Sequence, residues 1–212
     1  MAGKGTPALK KRGAAIQRKT REVDITGKFI VDGAGTTDIK TPFPFLDHML
    51  DLLAFHGFFD LSLRVSSDLS HHGIEDIGIA VGDAVARSID GGKGIRRYGT
   101  AFAPMDKTLA RVVVDISGRP SLFIAESLTP AAHSSISPLT GKEEFSFEDM
   151  HHFLEGLCLH AKITMHIDYR YDGDTHHLCE AIFKALGMAL DSATTRDSRR
   201  KDVASTKGII DL

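Results

Sequence analysis

The motif His-His-x-x-Glu occupies residues 71–75 and returns at residues 176–180, 105 positions later. Side chains three or four apart on a helix share a face, and that face can gather the imidazole nitrogens and carboxylate that a metal ion needs. The likeness runs past the motif: Ile77, Ala80, Gly82 and Ala84 recur as Ile182, Ala185, Gly187 and Ala189. A chain that carries one ligand-bearing unit twice is constrained to fold as a duplication. Its active site is then built twice or shared between copies, which points to a paired-metal enzyme.

The repeat is larger than the motif. His48 to His56 reads HMLDLLAFH and His152 to His160 reads HFLEGLCLH, with leucines and an acid in register. Val23-Asp24-Ile25-Thr26-Gly27-Lys28 also resembles Val114-Asp115-Ile116-Ser117-Gly118-Arg119, which would set Lys28 where the second copy has Arg119. Four matched blocks in one order argue for an internal duplication, and two copies are too few for a solenoid.

Each half shows the same alternation of periods. Residues 21–31 and 36–41 read as strands, Pro42 and Pro44 precede a helix over 45–55, and Gly57 stops it. A strand over 59–65 and a helix over 72–88 follow, closed by Gly91-Gly92. In the second half the strands are 108–116, 121–126 and 163–171, with Gly118 at a turn, and the helices are 147–160 and 176–190. The fold expected is α+β, an internal duplication of a β-β-α-β-α unit. Each small mixed sheet carries its helices on one face, and the two halves pack helix layer to helix layer. The corresponding boundaries are a basic, flexible segment over 1–20, repeat halves over 21–93 and 94–193, and a C-terminal segment over 194–212, all in one compact domain. Residues 127–144, rich in Ser, Thr and Pro, read as a mobile insertion, and 191–202 as a polar loop.

Composition narrows the function. A chain of 212 residues, 42% hydrophobic, can bury a full core, and a net charge of -2 gives no footprint for nucleic acid or a membrane surface. No apolar run approaches the about 20 residues needed to span a bilayer, and no secretory leader is evident. Cys158 and Cys179 read as reduced core thiols, so the expected location is cytoplasmic. The first 21 residues hold seven basic and no acidic side chains. A solvated terminus is the default for such a segment; a nucleic-acid arm or a plastid transit remnant are its alternatives. Of eleven histidines, only His133 falls outside the repeated blocks.

Adjacent histidines on a helix point about 100° apart, so one ion cannot readily take both members of a pair. The economical arrangement places His72 with Glu75 on one ion and His177 with Glu180 on the other. His176 and His71 then cross to the opposite sites, and His48 and His152 are the further ligands. Three histidines and a carboxylate leave room for substrate or water. Mixed nitrogen and oxygen donors without thiolate favour manganese, iron, cobalt, nickel or zinc over calcium. Taken singly, His56, His151, His160 and His166 read as satisfied structural histidines.

Six ordered motifs resemble those of the imidazoleglycerol-phosphate dehydratase family. They are Asp47-His48-Met49-Leu50 with Ala54-x-His56-Gly57, the first HHxxED, Gly94-Ile95-Arg96-Arg97-Tyr98-Gly99 with Pro104-Met105-Asp106, Ser117-Gly118-Arg119-Pro120, the HHxxEAxFKA run ending at Ala185, and Ser205-Thr206-Lys207-Gly208. The resemblance implies two manganese ions per site, lying at subunit boundaries of a homo-oligomer of 24 chains. Carried over by position, one ion takes His48, His72, Glu75 and His176, and the other His71, His152, His177 and Glu180. Arg97, Arg119, Ser205, Thr206 and Lys207 would bind a phosphate, and Glu22 would reach the substrate. Three departures stand out: Gly73 where the family has threonine, a short segment between Gly57 and His71, and Asp174 where asparagine is expected.

The activity implied is a lyase of histidine biosynthesis that converts D-erythro-imidazole-glycerol phosphate to imidazole-acetol phosphate. Metal bound to the ring would favour its imidazolate and so provide an electron sink. Glu22, or a metal-linked carboxylate (Glu75 or Glu180), is the candidate base, with His56 or Lys184 assisting later proton movements. The rival enzyme reading is a metal-dependent hydrolase of a small phosphorylated substrate. The non-enzyme rival is a shell in which the histidines only staple subunits.

Overall fold

The computed structural model describes residues 11–126, 145–170 and 175–212. The insertion expected over 127–144, Asp174 and the first ten residues of the basic segment lie outside the described residues.

The first half runs β1 (Gly13–Lys19), β2 (Val23–Ile30), β3 (Thr37–Lys40), α1 (Pro44–His56), β4 (Asp60–Ser67) and α2 (Ser70–Ser88). The second runs β5 (Tyr98–Met105), β6 (Thr108–Asp115), β7 (Ser121–Glu126), α3 (Phe147–Ala161), β8 (Thr164–Arg170) and α4 (Thr175–Thr194). The two sheets have the same strand order, β1-β2-β4-β3 and β5-β6-β8-β7. Each is mixed, because β3 joins β4 in parallel and β7 joins β8 in parallel while the other pairs are antiparallel.

The α+β duplication is as expected, with one strand added to the front of each unit. Residues 13–19 were expected to belong to a flexible basic segment. They form β1 instead, because Ile16 reaches the core and Arg18 donates to Asp76 of α2 at 2.7 Å. At the other end α4 continues through Thr194, four residues into the expected polar loop, its last turn held by the Thr194 hydroxyl donating to Leu190 O at 2.8 Å.

Hydrogen-bond register also corrects the alignment of the halves. Ile30 stands opposite Asp60, and Asp115 opposite Thr164, where Asp60 and Thr164 are the first residues of β4 and β8. Ile30 therefore corresponds to Asp115, not to a position beyond Arg119. Residues 23–28 lie inside β2, whereas residues 114–119 straddle the end of β6 and the turn at Gly118, where φ is +73°. The likeness of those two stretches is fortuitous, and Lys28 is no counterpart of Arg119. The true counterpart of Arg97 is Arg12, since Gly13 and Tyr98 open the matching strands.

Local signals explain the helices that carry the ligands. Pro44 occupies the first turn of α1, and Asp47 accepts from the Thr41 hydroxyl at 2.6 Å, which pins the chain just ahead of His48. Ser146 and Asp149 form a reciprocal capping box at the start of α3. Helices of one half pack on helices of the other, α1 on α4 and α2 on α3. Gly82 and Gly187 make these crossings possible. A Cβ at Gly82 would stand 2.7 Å from Leu157 O of α3, and one at Gly187 would stand 2.4 Å from Leu53 O of α1. The core is continuous across both halves, with Phe29, Phe59, Phe153 and Phe183 fully buried. Cys158 and Cys179 are buried thiols, and burial pushes the Cys158 thiol up to about 12.

Candidate metal centre

The α1/α4 crossing brings His48, the residue next to the Thr41–Asp47 lock, to the face of α4 that carries His176 and Glu180. His48 Nε2 and His176 Nε2 each lie 3.1 Å from Glu180 Oε1. The pair on α4 is spaced i, i+4, so its side chains stack one turn apart. All three ligand atoms lie within 4.8 Å of one another, and among the described residues no other group of this kind is present. Two donors held at about 2.2 Å and at right angles around one ion stand about 3.1 Å apart, so the donor set and its spacing fit a divalent transition metal.

The other oxygen of Glu180 accepts from Lys184 Nζ at 2.7 Å. Burial alone would raise this carboxyl, but hydrogen bonds from Lys184, His48 and His176 hold it down at about 2. Glu180 is therefore a carboxylate throughout the neutral range. His56, two turns beyond His48 on α1, is lowered below the usual imidazole range by burial and by the Lys184 charge. Lys184 thus stands beside the three ligands, and a neutral His56 lies farther along α1, within range of the Lys184 charge.

The α2/α3 crossing carries the repeat-related residues. Glu75 of α2 and His152 of α3 line one cavity of about 600 Å³, together with Ile79, His151, Glu155, Leu159 and the stretch from Pro120 to Leu122. His71 and His72 lie edge to face with ring centroids 4.2 Å apart. His72 turns its Nδ1 to Asp68 at 2.9 Å and lies 3.9 Å from Glu22 in the β1–β2 hairpin. His177 lies 3.3 Å from Asp106 in the β5–β6 hairpin. The two crossings are not copies in detail: Ile79 occupies the position that corresponds to Lys184.

The residues expected to bind phosphate sit on three loops. Arg97, at φ +78°, donates to both oxygens of Asp115 at 2.7 and 3.1 Å and to Ala204 O at 2.8 Å. That last bond ties down the segment holding Ser205, Thr206 and Lys207, where the Lys207 amide donates to Ser205 Oγ at 3.2 Å. The chain at Asp211 presses on Gly118, where a Cβ would stand 2.9 Å from Asp211 N. Arg119 is exposed beside that contact, and Pro120 and Ser121 lead directly into the cavity of Glu75 and His152.

Within one chain the ligands group by crossing. His48, His176 and Glu180 meet on α1/α4, Glu75 and His152 face the α2/α3 cavity, and the two sets of four expected from the resemblance do not each close up. His160 is paired with Asp83 at 2.9 Å, and His166, exposed on β8, stacks on Phe123 with ring centroids 4.5 Å apart. Asp68 and Asp106 escaped the sequence reading as site residues, although Asp106 ends the quoted Pro-Met-Asp motif and Asp68 lies four residues before His72.

A family model for imidazoleglycerol-phosphate dehydratase matches residues 41–190. The chain is 47% identical over 202 residues to the imidazoleglycerol-phosphate dehydratase of Bacillus subtilis, covering 94% of this chain and 100% of that one. Its fold is similar to the crystal structure of IGPD from Pyrococcus furiosus in complex with (S)-C348, with a TM-score of 0.76 at 34% identity over 92% of this chain and 100% of that one. It is likewise similar to imidazoleglycerol-phosphate dehydratase from Staphylococcus aureus, with a TM-score of 0.73 at 38% identity over 87% and 100%.

Proposed function

The chain belongs to the imidazoleglycerol-phosphate dehydratase family, lyases of histidine biosynthesis, and from that premise we propose how its residues would dehydrate D-erythro-imidazole-glycerol phosphate. The observation that carries the reading is that His48 and His176, ligands of one proposed ion, converge with Glu180, a ligand of the other, and with Lys184 beside it. Two manganese ions would be held by His48, His72, Glu75 and His176 and by His71, His152, His177 and Glu180. When bound, they supply a Lewis acid that draws charge from the imidazole ring of the substrate.

Each of these sets takes two ligands from the α1/α4 crossing and two from the α2/α3 crossing. Since the two crossings do not share ligands within the chain, a set closes when the α1/α4 face of one copy meets the α2/α3 face of the next. A head-to-tail contact of this kind forms a closed assembly when its rotation closes, and 24 chains is the assembly the resemblance implies.

The side chains then have distinct tasks. Arg97, Arg119, Ser205, Thr206 and Lys207 would present forked and point donors to the phosphate, which fixes the substrate remote from the reacting carbons. Glu22, exposed beside His72, would hold the proton leaving C2. Lys184, tethered by Glu180, would give a proton to the departing C3 hydroxyl.

The test is turnover of imidazole-glycerol phosphate by chelator-stripped protein before and after manganese is restored, with inorganic phosphate followed in parallel. Manganese-dependent imidazole-acetol phosphate without phosphate release is the expected result. Phosphate release would support the hydrolase, and a metal-loaded protein with no turnover would refute the dehydratase.

A further inference from the structure

Three of the candidate histidines have company that explains their orientation from within. His48 and His176 share Glu180, and Phe45 meets the His176 ring edge to face at 5.0 Å. His152 lines a cavity. His72 differs: it is partly exposed, it lies outside the converged group, and on the reading above its nitrogen must reach an ion completed by another copy. Its position is nonetheless defined by Asp68 Oδ1 at 2.9 Å from Nδ1. An ionised carboxylate accepts only, so Nδ1 carries the hydrogen and Nε2 keeps its lone pair. That is the tautomer a metal-binding imidazole needs, and a carboxylate behind the ring also stops it from turning.

The position of Asp68 follows from a departure in the chain. The segment before the first histidine pair is short, so β4 ends at Ser67 and α2 begins at Ser70 with only two residues between. Asp68 is carried to within four residues of His72 by that brevity, and its amide is tied back to the hairpin by donating to Glu22 O at 3.0 Å. The second half builds a similar strut from another element. Asp106, in the β5–β6 hairpin, has Oδ2 3.3 Å from His177 Nδ1.

We infer that Asp68 is a positioning residue that fixes the tautomer and direction of His72 toward an ion shared with a neighbouring copy, and that Asp106 does the same for His177. The inference rests on the two-ion reading. On this reading Asp68 acts on the ion through His72, and its Oδ1 also accepts from the Leu69 amide at 2.7 Å, which fixes the carboxylate at the start of α2.

Manganese binding to the assembled protein, read by the electron paramagnetic resonance of free Mn2+, tests it, with assembly mass followed by light scattering. Asp68→Ala is expected to weaken one of the two ions about 10- to 100-fold at unchanged mass. Asp68→Asn, which keeps an acceptor for Nδ1–H, should fall between it and the wild type. His72→Ala should weaken the same ion, and adding Asp68→Ala to it should cost nothing more. Asp106→Ala should weaken the other ion. Wild-type affinity in Asp68→Ala would overturn the inference, as would losses that add in the double variant or a fall in assembly mass. A wild-type protein that binds no manganese would instead overturn the two-ion reading itself, and this inference with it.

Discussion

The carbon missing from Gly73 shows how one residue can be dictated by a distant one. A Cβ there would stand 2.6 Å from the Phe43 ring and 2.7 Å from Ser67 Oγ. The family resemblance marks Gly73 as a departure from threonine, but nothing in the sequence pairs it with Phe43, thirty positions earlier, because the contact exists only once α2 lies against the entry to α1. Gly73→Thr is expected to destabilise by about 1–3 kcal/mol through overpacking, and Phe43→Leu should recover part of that loss when combined with it. Thermal unfolding of the single and double variants checks this, and additive losses would contradict the coupling. The meeting of three candidate ligands, His48, His176 and Glu180, was legible because two motifs in register leave few other readings. Their partition was not, since i, i+3 and i, i+4 neighbours share a helix face equally well.

Most elements were legible from period alone, and the two that were missed share a cause. The strand β5 points Tyr98, Phe102 and Pro104 outward and turns Gly99, Ala101 and Ala103 inward, the reverse of the usual alternation. Small residues face in because α4 lies almost on the strand: a Cβ at Gly99 would stand 1.8 Å from Ala189 O. In β1, Ile16 is the single fully buried side chain among basic and small neighbours, so the segment resembles a solvated tail. Close approach also governs the helix crossings. Gly187→Ala would gain about 1 kcal/mol of helix propensity, yet the clash with Leu53 O is expected to outweigh it and give a net loss of about 1–3 kcal/mol. Because α1 would have to withdraw, His48 would leave His176, and manganese affinity should fall with stability. A stabilised variant with unchanged manganese binding would refute the crossing as drawn.

At the scale of the molecule, the proposal that a second chain completes each ion set has a direct test. His72 sits on α2 and His177 on α4, so His72→Ala spoils one face of each copy and His177→Ala the other. When the two inactive variants are unfolded and assembled together in equal amounts, about one interface in four joins an intact α1/α4 face to an intact α2/α3 face. Activity should return to roughly that fraction, and no recovery in assemblies shown by mass to be mixed would argue for sites made within one chain. The duplicated architecture was legible from the order of matched blocks, whereas the strand register was not: residues 23–28 and 114–119 look alike and occupy different places in their sheets.

Fusing two like units has a further effect, visible where Lys184 in one crossing answers to Ile79 in the other. Two separate copies of an undivided unit would present the same helix pair on both sides of a shared site, and every substitution would strike both walls at once. Joined in one chain, the walls carry separate codons. One could acquire an ammonium group beside its carboxylate while the other kept an aliphatic side chain at the matching place. The asymmetry that a directional reaction demands, a proton donor on one side and none on the other, is thus open to a scaffold whose backbone remains nearly two-fold.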